Sequence, residues 1–189
     1  MTRAPVALLA VTTSLLAGCA HLSPAWTQRP PDTRRLRALT RETGCVERDG
    51  LPDQRCTPGA VRVGISLSVI CRYGYTRSIR PPESYTEPLK LRQMRAYGLL
   101  GPARDYEEDH LVPLSIGGAP SDPANLWPEL RSGPNNAEQK DRLETWVARV
   151  ACGHRLALAR LQRDMAEDWT ALYRAAGGDR VLQQYPPGG

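Results

Sequence analysis

The chain has 189 residues, 25 Lys+Arg against 20 Asp+Glu, and a formal net charge of +5. That length supports one domain with a sizeable core and makes two cramped. A charged fraction of 24% argues against a multi-span membrane protein, an apolar fraction of 41% against a wholly disordered one, and 16 Gly with 17 Pro against a long-helix bundle or coiled coil. The charge permits an anionic partner without identifying one.

Residues 1–18 read as an export signal: Arg3 gives a positive start, and Ala4 to Leu16 is mostly apolar but too short and interrupted for a membrane span. Leu16-Ala17-Gly18-Cys19 then resembles a bacterial lipoprotein cleavage box. The resemblance implies lipidation of Cys19 and a protein held at a membrane by acyl chains. Ala20, where inner-membrane retention prefers Asp, implies the outer membrane of the bacterial cell envelope. Residues 19–44, rich in Pro, Arg, Asp and Thr, read as a tether, with a surface helix over 33–42 as the alternative. Cys45, Cys56, Cys71 and Cys152 remain. An even number in an oxidising compartment favours two disulfides, and the three pairings stay open.

The domain is expected over residues 45–176. Val61, Val63, Ile65, Leu67 and Val69 alternate and predict a half-buried strand to Cys71. Residues 74–83 read as a loop, because Pro81 and Pro82 prevent sheet pairing. Thr86 can cap a helix that starts at Glu87 and Pro88 and ends at Gly98. Tyr106 to Leu114 reads as a strand, Gly117-Gly118 as a turn, and Asn125 to Pro128 as the start of a returning strand. Asn135 or Asn136 caps a helix to about Val150, with Leu143, Trp146, Val147 and Val150 on its buried face. Leu158, Leu161, Met165, Trp169 and Leu172 mark a last helix, and residues 177–189 read as a loose tail.

The chemistry-bearing stretch begins at Asp109-His110-Leu111-Val112-Pro113-Leu114-Ser115-Ile116-Gly117-Gly118. It continues through Asn125-Leu126-Trp127-Pro128-Glu129 to Asn136-Ala137-Glu138-Gln139-Lys140-Asp141-Arg142-Leu143-Glu144. A hairpin packed on a helix can bring Asp109, His110, Asn125 and Asn136 together. Asp109 offers a hard oxygen to a divalent cation, and Asn136 an amide oxygen. A neutral His110 can take a proton from water, and Asn125 can orient the loop that carries it. Arg77, Arg80, Lys140 and Arg142 are candidates for phosphate contacts, which position a nucleic acid without reading its sequence.

DHLVPLSIGG, NLWPE and NAEQKDRLE resemble the HNH endonucleases, the ββα-metal nucleases. That resemblance implies an α+β fold with a ββα-metal core and additional helices. It also implies hydrolysis of DNA, with RNA as a further substrate, at low sequence specificity, giving 5′-phosphate and 3′-hydroxyl products. His110 and Asn125 take the catalytic positions, and Asp109 and Asn136 the metal positions. The ion implied is one divalent metal, Mg2+ first, with Mn2+, Ca2+, Ni2+ and Zn2+ as the other candidates. The partners are nucleic acid and the membrane, with a monomer as the default state. Two departures stand out: zinc-knuckle cysteines are absent, and asparagine stands where many members carry the last metal-binding histidine. Asn135 rivals Asn136 for that position. In an ideal strand, moreover, Asp109 and His110 point to opposite faces. The rival functions are a non-catalytic envelope lipoprotein using the scaffold as a binding module, and a hydrolase of smaller phosphodiesters.

Overall fold

The computed structural model describes residues 33–187, so the export segment, Cys19 and the first part of the tether lie outside the described residues. The fold is α+β, with two small antiparallel sheets and six helices among the described residues. The lead-in departs from a tether as soon as it is described. β1 (Thr33–Arg35) pairs antiparallel with β2 (Ala60–Arg62), Leu36 packs on the core, and Arg35 reaches the buried Asp122 at 3.3 Å. The surface-helix alternative for 33–42 is likewise replaced by extended chain.

The alternation after Val61 does not become a long strand. β2 stops at Arg62, and Leu67–Ile70 forms the short helix α1. Val63 is 54% exposed, so the period-two pattern there has no sheet face to bury against. The stretch expected as a loop forms α2 (Tyr75–Ile79), with Gly74 in the left-handed region at its start. Proline ends that helix rather than preventing it, since Arg80 before Pro81 is extended. α3 (Glu83–Ala96) begins at Pro82, one turn earlier than expected, and takes in Pro88.

The central hairpin forms where expected, but its first strand stops at His110 and not at Leu114, because the chain turns away through Pro113 into a 3₁₀ turn. β3 (Tyr106–His110) pairs with β4 (Leu126–Leu130), with Asp109 opposite Trp127 and His110 opposite Leu126. Between them the chain makes 3₁₀ turns at Leu114–Ile116 and Pro123–Asn125. Gly118 has to be glycine, because a Cβ there would lie 1.8 Å from the Val112 carbonyl oxygen.

α4 (Ala137–Cys152) starts from a full capping box. Asn136 Oδ1 accepts from the Gln139 N–H at 3.0 Å, and Gln139 Oε1 accepts from the Asn136 N–H at 3.3 Å. α5 (Leu158–Ala175) kinks at Asp168, whose carboxylate caps the continuation by accepting from Thr170 Oγ1 and the Ala171 N–H. Gln54 Nε2 donates to the Ala166 carbonyl just before the kink.

The core lies between these helices and the hairpin. Leu143, Val147 and Val150 of α4 meet Leu161, Met165 and Trp169 of α5, with Trp127, Leu111, Val112 and Ile116 from the hairpin. The tail is not loose throughout: α6 (Asp179–Leu182) buries Leu182 completely. Cys45–Cys56 and Cys71–Cys152 form the two disulfides; the second ties α1 to the end of α4. Among the described residues no helix is long and apolar enough to cross a membrane.

Candidate active site

The end of β3 and the second turn of α4 enclose a cavity of about 250 Å³. Asp109 and His110 both line it, with Glu107, Ser115, Asp141 and Glu144, and with Thr76 and Arg80 of the α2 segment. His110 is the last residue of β3, so the strict alternation of the strand ends where the site needs it to.

His110 is held through Nε2, 3.0 Å from the Pro120 carbonyl oxygen. A carbonyl only accepts, so this bond puts the ring proton on Nε2 and leaves Nδ1 as the acceptor nitrogen. Burial pushes the His110 pKa down to about 4, against the pull of Asp109 and Pro120, so the ring is neutral at physiological pH. Glu108, between Glu107 and Asp109, is a neutral acid, with burial pushing its pKa up to about 9.

Asn125 fixes the loop that supplies Pro120. It is fully buried, and its amide uses all four of its bonding directions. Oδ1 accepts from the Ala60 N–H at 3.2 Å and the Val112 N–H at 2.9 Å. Nδ2 donates to the Val112 carbonyl at 3.0 Å and the Ala119 carbonyl at 3.1 Å. One side chain thus joins β2 to both ends of the loop after His110.

The remaining sequence candidates are redistributed. Lys140 is 0% exposed and turned inward, so it is not a surface phosphate contact. Its ammonium donates to Asp109 Oδ2, to Glu144 Oε1 and, at 2.8 Å, to the His110 carbonyl. Arg142 is bonded to Glu138, and Arg77 is exposed on α2 outside the cavity lining; of the four cations, Arg80 borders it. Asn136 does not line the cavity: its Oδ1 caps α4 and its Nδ2 donates to the Gly133 carbonyl at 2.7 Å. Asn135, its rival, donates instead to the Asp49 carbonyl at 2.9 Å. The helix presents Asp141 and Glu144 to the cavity where the sequence suggested an asparagine.

The carboxyl groups divide sharply. Burial would raise Asp109, but the Lys140 ammonium and a hydrogen bond from Glu129 hold it down to about 2. Glu129 is completely buried, no N–H or O–H donor among the described residues meets its carboxyl, and burial pushes its pKa well up, so it serves Asp109 as a neutral acid. Burial raises Glu144 to about 8 despite Lys140, and raises Asp141 to about 7 with Asp109 adding to the effect.

Among the described residues no three His, Cys, Asp or Glu side chains form a ready-made metal cage. The donor chemistry nonetheless fits a hard divalent cation that keeps much of its water, because Asp109, Asp141 and Glu144 bring carboxylate oxygens to one small cavity. The upward shifts of Asp141 and Glu144 fit as well, since a cation would relieve the burial of their charge. A larger cavity, about 690 Å³, lies elsewhere, between residues 46–55 and the second half of α5. It contains neither histidine nor a cluster of buried acids. No protein family matches the chain, and comparison with curated proteins and with solved structures gives no match.

Proposed function

We propose that this protein is a metal-dependent phosphodiesterase that cuts DNA, and RNA as a further substrate, as an endonuclease with low sequence specificity. Its working unit would be a ββα-metal core made of β3, β4 and α4. The observation that carries this reading is His110: a neutral ring, anchored by Nε2 on Pro120, at the wall of a cavity it shares with Asp109. In this scheme Nδ1 accepts a proton from the attacking water, and the carboxylate of Asp109 beside it stabilises the charge the ring gains. Arg80, which lines the same cavity, holds a non-bridging phosphate oxygen, and Asn125 keeps the Pro120 anchor in place. A divalent cation, Mg2+ in the first instance, held by Asp109 with Asp141 or Glu144 and water, would supply the positive field that offsets charge developing on the phosphodiester.

Supercoiled plasmid should be cut by purified protein in Mg2+ and left intact in chelator, and His110→Ala should lower the rate at least ~100-fold. Full activity in a folded His110→Ala protein would overturn the assignment. A second reading, a non-catalytic binding module, draws on Lys140, which already neutralises Asp109 from inside the fold. It predicts no cleavage with any metal and unchanged nucleic-acid binding in Asp109→Ala. A hydrolase of smaller phosphodiesters draws on the size of the cavity, and would cleave small diesters faster than plasmid. We also propose attachment to the outer membrane through lipid on Cys19. Palmitate labelling of wild type but not Cys19→Ala is the expected result.

A further inference from the structure

We propose that Lys140 is the positioning residue of this site, the clamp that makes Asp109 and His110 open on one cavity. Two adjacent strand residues should diverge, and something must hold the strand end in the orientation where they do not. Lys140 bonds both. From α4 its single ammonium reaches the Asp109 carboxylate, the His110 main-chain carbonyl at 2.8 Å and the Glu144 carboxylate. Those acceptors belong to β3 on one side and to α4 on the other, so the three bonds fasten the last two residues of β3 to the helix.

The arrangement suits lysine. An ammonium has three donors and no acceptor, and three oxygens meet it here. With 0% exposure, it cannot exchange these partners for water or reach a substrate phosphate outside the cavity wall. Bonding the His110 carbonyl fixes the backbone that aims the ring, while Pro120 fixes the ring's far nitrogen. Lys140 therefore sets the imidazole from behind and Pro120 from the side. Its effect on a reaction passes through Asp109 and His110, without any contact of its own with substrate.

The consequence for catalysis rests on the nuclease reading, whereas the clamp itself does not, and the test separates the two. The sequence holds three histidines, so the imidazole nitrogen signals of His110 can be followed by NMR in the folded protein without any activity. Wild type, Lys140→Met, Lys140→Arg and the exposed control Arg163→Met are compared. In Lys140→Met the His110 signals should lose the pure Nε2–H pattern and move toward tautomer averaging, with kcat for plasmid cleavage down at least ~10-fold and KM within about twofold. Lys140→Arg keeps the charge but cannot bring three donors from one nitrogen to these oxygens, so it should show the same changes if Lys140→Met does not fold. Arg163→Met should behave as wild type. Wild-type His110 signals in both Lys140 variants, with only thermal stability lowered, would overturn the clamp. A rise in KM at unchanged kcat would also overturn it, by making Lys140 a substrate contact. If wild type cuts no phosphodiester, the nuclease reading fails and the NMR comparison still decides the clamp.

Discussion

Replacing Asn125 by alanine removes four hydrogen bonds at once and leaves their partners stranded. Ala60 N–H, Val112 N–H, Val112 C=O and Ala119 C=O all belong to residues that are at most 0% exposed by side chain and backbone together, so bulk water does not reach them in the folded state. A buried hydrogen bond contributes about 1 kcal/mol, and an orphaned buried partner costs about 1–3 kcal/mol. Counting only about 1 kcal/mol for each bond gives a loss of about 4 kcal/mol. That is a large share of the ~5–15 kcal/mol that holds a domain together. At ~2–4 °C per kcal/mol for a domain of this size, the midpoint should fall by about 8–16 °C. Thermal melts and urea denaturation followed by circular dichroism, with the two disulfides intact, measure the midpoint and the free-energy loss. Asn125→Asp keeps the acceptor but turns a second oxygen toward the Val112 and Ala119 carbonyls, so it should lose about as much. A loss under about 1 kcal/mol in both variants would refute the claim that this amide ties the loop to β2.

Three other outcomes are expected. His110 has a folded pKa near 4 against 6.5 unfolded, so below pH 6.5 the unfolded state takes up a proton that the folded state refuses. The stability present above pH 6.5 is lost as pH falls toward 4, by about 3 kcal/mol in wild type relative to His110→Gln, as paired denaturation curves at pH 7 and pH 4 would show. Asn136→Ala should cost about 1 kcal/mol as a lost helix cap and leave Mg2+ affinity, read by isothermal titration calorimetry, unchanged. Replacing Cys71 and Cys152 by serine opens a crosslink spanning 81 residues, for a loss of about 4 kcal/mol, whereas the Cys45–Cys56 link spans 11 and should cost nearer ~3 kcal/mol by the same thermal melts.

The parts of the fold legible in the sequence are those where local chemistry and tertiary packing agree. Asn136 is a strong cap followed by an amphipathic run, and α4 begins at the next residue. The stripe from Leu158 to Leu172 marks α5, although nothing in it betrays the kink at Asp168. The alternating residues after Val61 mislead because alternation signals a strand only when a partner strand exists. Here β2 pairs over three residues with Thr33–Arg35, a segment whose arginines read as tether. Arg35 is drawn into the fold by Asp122, a partner 87 positions away that no local pattern reveals. α1 and α2 escape notice for a related reason: four and five residues are too few to display a period, and α1 is held by its crosslink to Cys152.

The site divides along the same line. His110, Asp109 and Asn125 could be read because each has a distinctive chemical task and stands in a recognisable order. Lys140, Glu144 and Glu129 could not, because charged residues on a helix or strand ordinarily face water. Lys140 and Glu144 are four apart, the spacing of a solvated surface pair, and the sequence cannot say which way that pair faces. What turns it inward is the hairpin, which supplies two more oxygens, Asp109 Oδ2 and the His110 carbonyl, and so gives a buried ammonium enough partners to offset its dehydration. Burial pushes the Glu129 and Glu144 carboxyls up while Lys140 holds Asp109 down, so the ammonium faces one carboxylate that stays ionised, and the Glu129 proton sits where Asp109 can accept it. Asp141 and Glu144 line the cavity with carboxyls that burial raises to about 7 and about 8, and a divalent cation placed there would lower both by relieving the burial of their charge.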